Sequence, residues 1–133
     1  DRVALGENLD QAVRLGLKPE GGFAESPYAF TEADLLRGKA LYQSFCAICH
    51  GARGEGDGRA IPLGVPKPRS YHDPAMRDQP EGYFYFAATN GFGRMLPYKS
   101  RIPERERWLI AHYIKRCLLS EACPEEVVHA EVH

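Results

Sequence analysis

Residues 44–62 read "SFCAICHGARGEGDGRAIP", with Cys46 and Cys49 bracketing Ala47–Ile48 and His50 directly after. That spacing has three chemical readings: half of a zinc site, a redox dithiol, or the covalent seat of a haem. A zinc site needs four ligands, normally completed by a second close pair. The remaining cysteines, Cys117 and Cys123, are separated by five residues, and Cys117 falls on an apolar helical stripe. A thioredoxin-like dithiol follows a strand and opens a helix within a βαβ unit. Here the pair follows a helical pattern and enters a loop. Two thioethers fixing a porphyrin edge, with the adjacent histidine delivered to the iron, fit the residues and their setting best.

The flanking elements are helical. Thr31-Glu32-Ala33-Asp34 has the form of a capping box, so a helix is expected from there to about Phe45. Gly38 lies in its interior, where glycine costs about 1 kcal/mol relative to alanine. Close approach of another helix would justify that cost; a tolerated surface glycine is the alternative. Residues 51–68, "GARGEGDGRAIPLGVPKP", are a loop. No strand precedes them and no Gly-Lys-Ser/Thr closes them, which argues against a phosphate cradle. "SYHDPAMRDQP" (70–80) continues the irregular region. Asp78-x-x-Glu81 offers a second capping box, with Pro80 near the helix start, Tyr83, Phe86 and Ala87 sharing one face, and Asn90-Gly91 as the stop. Pro103 opens a long last helix on which Ile110, Tyr113, Ile114, Cys117 and Leu118 form a core-facing stripe. Upstream, Asn8 is placed to cap a short helix carrying Leu9, Ala12, Val13 and Leu17, stopped near Pro19.

At 133 residues and with no internal repeat, the chain is expected to form one all-α domain with long loops. A formal net charge of −1 argues against a nucleic-acid partner. No apolar run approaches the roughly 18 residues of a membrane span. The sequence starts at Asp1, so membrane association is expected only through an N-terminal anchor that is missing here.

The haem reading predicts a second axial ligand downstream, on a loop. Met95, in the glycine-flanked "NGFGRMLPYKS" (90–100), is the leading candidate, with Met76 and His72 behind it. His112 lies inside the last helix, and His129 and His133 lie in a polar tail.

Taken together, these features resemble a class I monohaem cytochrome c, over about residues 31–119: N-terminal helix, Cys-x-x-Cys-His, proline-bearing loop, aromatic helix, methionine loop and C-terminal helix. The resemblance implies helices wrapped around one covalently bound haem c, to which an N-terminal arm (1–30) and a C-terminal tail (120–133) are additions. It implies that Cys46 and Cys49 hold the haem and that His50 and Met95 ligate the iron. It also implies that Gly38 with Tyr42, Phe45 or both packs against Tyr113, and that the Pro62 carbonyl receives the His50 ring N–H. One departure is that Leu96 intervenes between Met95 and Pro97, where the family usually has Met followed directly by Pro. Arg69, Tyr71 and Trp108 are polar-tipped candidates for the haem propionates.

A narrower similarity lies in "YHDPAMRDQPEGYFYFAATNGFGRMLPY" and "RERWLIAHYI". These resemble the small haem c subunits or partners of the bacterial alternative complex III, and oxidase-linked cytochrome c domains. The implied function is one-electron transfer without enzyme activity, between a quinol-oxidising respiratory complex such as alternative complex III and a haem-copper oxidase. The implied location is the periplasm or the outer face of the cytoplasmic membrane. A five-coordinate haem enzyme or gas sensor, with Met95 merely core, is the rival. Outside the cytoplasm thiols oxidise, and Cys117 and Cys123 are expected to pair. The docking surface is expected at the exposed haem edge, where Arg94, Lys99, Arg101, Arg105 and Arg107 outnumber Glu104 and Glu106, with Phe92, Leu96 and Pro97 as the apolar alternative.

Overall fold

The computed structural model describes residues 12–91, 93 and 95–132. The expected Asn8 cap and Leu9, together with Phe92, Arg94 and His133, lie outside them. In chain order the helices are α1 (Glu32–Phe45), α2 (Ala47–His50), a 3₁₀ turn (Ile61–Leu63), α3 (Pro74–Arg77), α4 (Glu81–Asn90), α5 (Glu104–Tyr113), a π-helical extension of α5 (Ile114–Leu118), and α6 (Glu125–His129). The fold is all-helical, as expected.

Helix α1 begins where its capping box requires. The Thr31 hydroxyl accepts from the Asp34 N–H at 3.1 Å, and the Asp34 carboxylate accepts from the Thr31 N–H at 2.8 Å. Its interior Gly38 meets α5 closely. A Cβ there would stand 3.1 Å from the Leu109 carbonyl oxygen and 3.2 Å from Tyr113 Cβ. The glycine is therefore explained by helix–helix contact. Tyr42 packs on Tyr113 beside it, ring centroids 5.6 Å apart. Helix α5 is the hub, packed against both α1 and α4. Trp108, Leu109 and Ile110 of α5 are almost wholly buried, as are Leu35 and Tyr42 of α1 and Tyr85 of α4. Burial of each such side chain stabilises the fold by roughly 1.5–3 kcal/mol.

One local expectation needs correction. The Asp78-x-x-Glu81 box does not form: α4 starts behind Pro80 without a side-chain cap, while Asp73 caps the short α3 through the Ala75 N–H. On α4 Gly82, Phe84, Tyr85, Ala88 and Thr89 are buried, while Tyr83, Phe86 and Ala87 share a half-buried face. The arm covers part of that face. Phe23 meets the Tyr83 and Phe86 rings edge-on at 5.2 and 5.6 Å.

Arm and tail are both pinned to the helices. The Val13 carbonyl accepts from Trp108 Nε1 at 2.7 Å, the Arg14 carbonyl from the Tyr85 hydroxyl at 2.8 Å, and the Ala24 carbonyl from the Gly82 N–H at 2.7 Å. Lys39 of α1, mostly buried, donates to the carbonyls of Val127, Val128 and Ala130 at 2.7, 2.9 and 2.8 Å. It thereby caps the carbonyl end of α6, where the Val127 carbonyl also accepts from the Ala130 N–H. Cys117 and Cys123 form the expected disulfide, their Cα atoms 4.5 Å apart.

Candidate haem site

Helix α1 delivers the chain directly into the Cys-x-x-Cys-His turn, which α2 makes into a single helical turn. The glycine-rich loop then folds back on it. The N–H groups of Gly56, Gly58 and Ala60 donate to the carbonyls of His50, Cys49 and Ile48 at 2.8, 3.1 and 3.0 Å. The Tyr42 hydroxyl donates to the Gly51 carbonyl at 2.7 Å. The turn is thus held by backbone bonds, and the side chains of both cysteines and His50 are left for other work.

Those side chains face two adjoining hollows of about 260 and 380 Å³, which share Cys46, His50, Pro68 and Met95 in their walls. The first is completed by Tyr71, Met76, Tyr83, Phe84, Ile110 and Ile114, among others; the second by Phe45, Cys49, Val65, Leu96 and Tyr98. Such walls suit a flat apolar ring system with a few polar fixtures. Cys46 and Cys49 are free thiols. Burial pushes the Cys46 thiol up to about 12, the neighbouring Cys49 adding to the effect. Among the described residues no three His, Cys, Asp or Glu side chains converge as a metal cluster. Burial likewise pulls the His50 imidazole down to about 4, keeping it neutral as an iron ligand must be. Its Nδ1 is buried without a hydrogen-bond partner among the described residues. Two thiols, a neutral imidazole and a thioether around one apolar space fit a haem.

The remaining predicted site residues divide. Tyr71 is buried, stacks on His50 with centroids 4.8 Å apart, and lines the first hollow. Arg69 sits exposed at the edge of that hollow, paired with Asp73 at 3.0 Å. Met95 is half-buried and lines both hollows. Met76 lines only the first of them, and its sulfur accepts from the Tyr83 hydroxyl at 3.2 Å. His72 Nε2 pairs with the Arg53 carbonyl at 2.8 Å beside a separate hollow. Two expectations are corrected. Pro62 lies exposed on the 3₁₀ turn, and His50 Nδ1 makes no bond to its carbonyl. Trp108 spends its N–H on the Val13 carbonyl and its face on Tyr85, 4.2 Å away, and lines neither hollow.

The basic rim also changes. Arg107 is buried, and Arg105 turns away to Asp34 and the Tyr28 and Phe30 rings. Lys99 and Arg101 remain exposed, the latter over Phe45 and Tyr98. Lys67 and Arg69, from the preceding loop, line the mouths of the hollows. The sequence reading did not single out Pro68, Phe84 and Val65 as lining residues. Ile110 and Ile114 were visible as a stripe on the last helix, though not as the wall of a cofactor space.

An all-helical fold around a Cys-x-x-Cys-His turn and an apolar double hollow defines a c-type cytochrome domain. The family model described as cytochrome c oxidase, cbb3-type, subunit III matches residues 33–114, and the chain belongs to that family. Its cofactor is covalently bound haem c, and the class is one of electron carriers. Among solved structures, cytochrome cL from Methylophaga aminisulfidivorans is similar at 16% identity and TM-score 0.54, over 99% of this chain and 86% of that one. Cytochrome cL from Hyphomicrobium denitrificans gives 16% and 0.50, over 97% and 73%. The reducing HAO-like protein complex of Kuenenia stuttgartiensis gives 24% and 0.55, over 78% of this chain and about half (52%) of that one. At these identities the likeness is one of fold. No curated protein matches the chain.

Proposed function

We propose that this domain is a one-electron carrier whose haem is attached at Cys46 and Cys49 and whose iron is held between His50 and Met95. The observation that carries the reading is that His50 and Met95 both line each of the two hollows meeting at Cys46. Haem c supplies a one-electron ferric/ferrous couple. The chain's part would be to hold that group, keep it dry and leave it reachable. Burial holds His50 neutral, and Tyr71, stacked against it, limits how far the ring turns. The Met95 thioether would hold the iron from the Met95 segment, and methionine ligation would favour the ferrous state. Phe84, Ile110 and Ile114 exclude water from the first hollow. Met95→Ala is the test. It should abolish the long-wavelength sulfur-to-iron band, lower the potential and admit carbon monoxide, with the haem still attached. Retention of the band in Met95→Ala, with its loss in Met76→Ala, would move the ligand to Met76. Carbon monoxide binding to the unaltered ferrous protein would favour the five-coordinate rival.

The partners we propose are a quinol-oxidising complex such as alternative complex III and a haem-copper oxidase, met in the periplasm or on the outer face of the cytoplasmic membrane. The family's description names an oxidase subunit, and the Cys117–Cys123 disulfide suits an oxidising compartment. No helix among the described residues is long and apolar enough to cross a membrane. Lys67 and Arg69, which line the hollows, together with the exposed Lys99 and Arg101 on the segment after Met95, would steer an acidic partner surface and speed encounter. Electron transfer to the oxidase should then slow as ionic strength rises, and further on charge reversal at Lys99 and Arg101. A rate indifferent to both assigns docking to exposed apolar groups such as Leu96 and Val65.

A further inference from the structure

Arg107 is a charged residue within the core, 6% exposed, in the second turn of α5. Its guanidinium makes four hydrogen bonds. Nε donates to Thr89 Oγ1 at 3.0 Å, Nη2 to the Tyr85 hydroxyl at 3.1 Å, and Nη1 to the carbonyls of Lys99 and Ile102 at 2.9 and 2.6 Å. The group also stands over the Tyr85 ring, 5.3 Å from its centroid. Each of these partners is neutral, and none of the ion pairs formed among the described residues includes Arg107. Burying an unpaired charge is costly unless its hydrogen bonds are complete. Here they nearly are, and they converge on one place.

Lys99 and Ile102 belong to the irregular segment that runs from Met95 into α5. That segment is anchored by the buried Ile102 side chain, by the Tyr98 hydroxyl, which donates to the Phe45 carbonyl at 3.2 Å, and by a few backbone bonds. The Tyr98 N–H donates to the Ala88 carbonyl at 2.8 Å, and the N–H groups of Arg101 and Ile102 both donate to the Tyr98 carbonyl at 3.0 Å. At the upstream end Gly91 abuts the Met95 carbonyl so closely that any Cβ would collide with it. Met95 thus lies between a tight contact at Gly91 and a downstream foot whose Lys99 and Ile102 carbonyls accept from Arg107. A rigid, planar fork can serve α4 and this foot together; a lysine ammonium on a flexible stem cannot span the same points.

We propose that Arg107 is the positioning residue of the Met95 segment, tying the Lys99 and Ile102 carbonyls to Thr89 and Tyr85 of α4 so that the Met95 sulfur is presented to the haem. The proposal rests on Met95 being the ligand. Its test uses the haem-loaded protein in three forms: Arg107→Lys, Thr89→Val, which removes a single bond of the fork, and Met95→Ala. In Arg107→Lys the amides of Tyr98, Arg101 and Ile102 should exchange with solvent roughly tenfold faster, the consequence of losing a charge-assisted bond. The sulfur-to-iron band should fade on warming well before the helices melt, and ferrous protein should take up carbon monoxide. Thr89→Val should show the same changes in weaker form. If Arg107→Lys lowers only the midpoint of global unfolding, leaving those three amides, the band and carbon monoxide exclusion as they were, Arg107 is merely part of the core and the proposal is overturned. A band that survives Met95→Ala overturns the ligand assignment instead, while the three amides still report whether the tether exists.

Discussion

Gly38→Ala sets two effects of similar size against each other, and the structure says which prevails. On an exposed helix position the change stabilises by about 1 kcal/mol through helix propensity. At Gly38 the new methyl would meet the Leu109 carbonyl oxygen at 3.1 Å, and Leu109 Cγ and Tyr113 Cβ at 3.2 Å. Two of these three atoms are backbone or Cβ of a helix that is itself buried on nearly every side, so they cannot swing aside. Prising the helices apart by a few tenths of an ångström falls in the overpacking range of about 1–3 kcal/mol. The net expectation is a loss of about 1 kcal/mol, or roughly 4 °C in Tm for a chain of this size. Gly38→Val should lose more, since it adds bulk and removes the propensity gain. Urea unfolding of the haem-loaded protein, followed by far-ultraviolet circular dichroism, measures both. The variants Gln43→Ala and Gln43→Gly, at an exposed position of the same helix, calibrate the propensity contribution. A Gly38→Ala protein as stable as the parent, or more so, would refute the claim that the α1–α5 crossing is limited by backbone contact.

Lys39→Met should destabilise by about 2–3 kcal/mol, because it leaves the carbonyls of Val127, Val128 and Ala130 without their charged donor. Limited proteolysis should then cut the tail beyond the Cys117–Cys123 bridge first, and an unchanged cleavage pattern would contradict this. Stability should also fall at alkaline pH. Burial pushes the Tyr113 hydroxyl up to about 12 and moves Tyr42 and Tyr71 further in the same direction. Because the folded values lie above the unfolded one, this stability is complete below about pH 10 and is lost as pH climbs towards the folded values. For Tyr113 alone the full loss is on the order of 3 kcal/mol. Urea midpoints stepped from about pH 9 to about pH 11 should decline, and a flat profile would rule the mechanism out.

Much of the helical framework and the centre of the site were legible before any coordinates. The Thr31–Asp34 box, the Cys46-x-x-Cys49-His50 turn and the glycine-flanked Met95 segment are each written within a few consecutive residues. Their chemistry depends on spacing along the chain, which sequence states directly. The same held for the Cys117–Cys123 pair, whose ends lie within reach across one short turn. What sequence left open concerns partners far apart in the chain. Trp108 looked like a polar-tipped haem contact, yet its N–H belongs to Val13, 95 residues away. Arg107 looked like a surface charge at a helix start, until folding brought Thr89, Lys99 and Ile102 around it. Lys39 read as an ordinary helix lysine because its acceptors lie 88 and more residues downstream. A side chain's local pattern states what it is able to bond. Which donor, acceptor or ring it meets depends on how the arm, the tail and three helices close around one another, and that closure is a property of the packed chain.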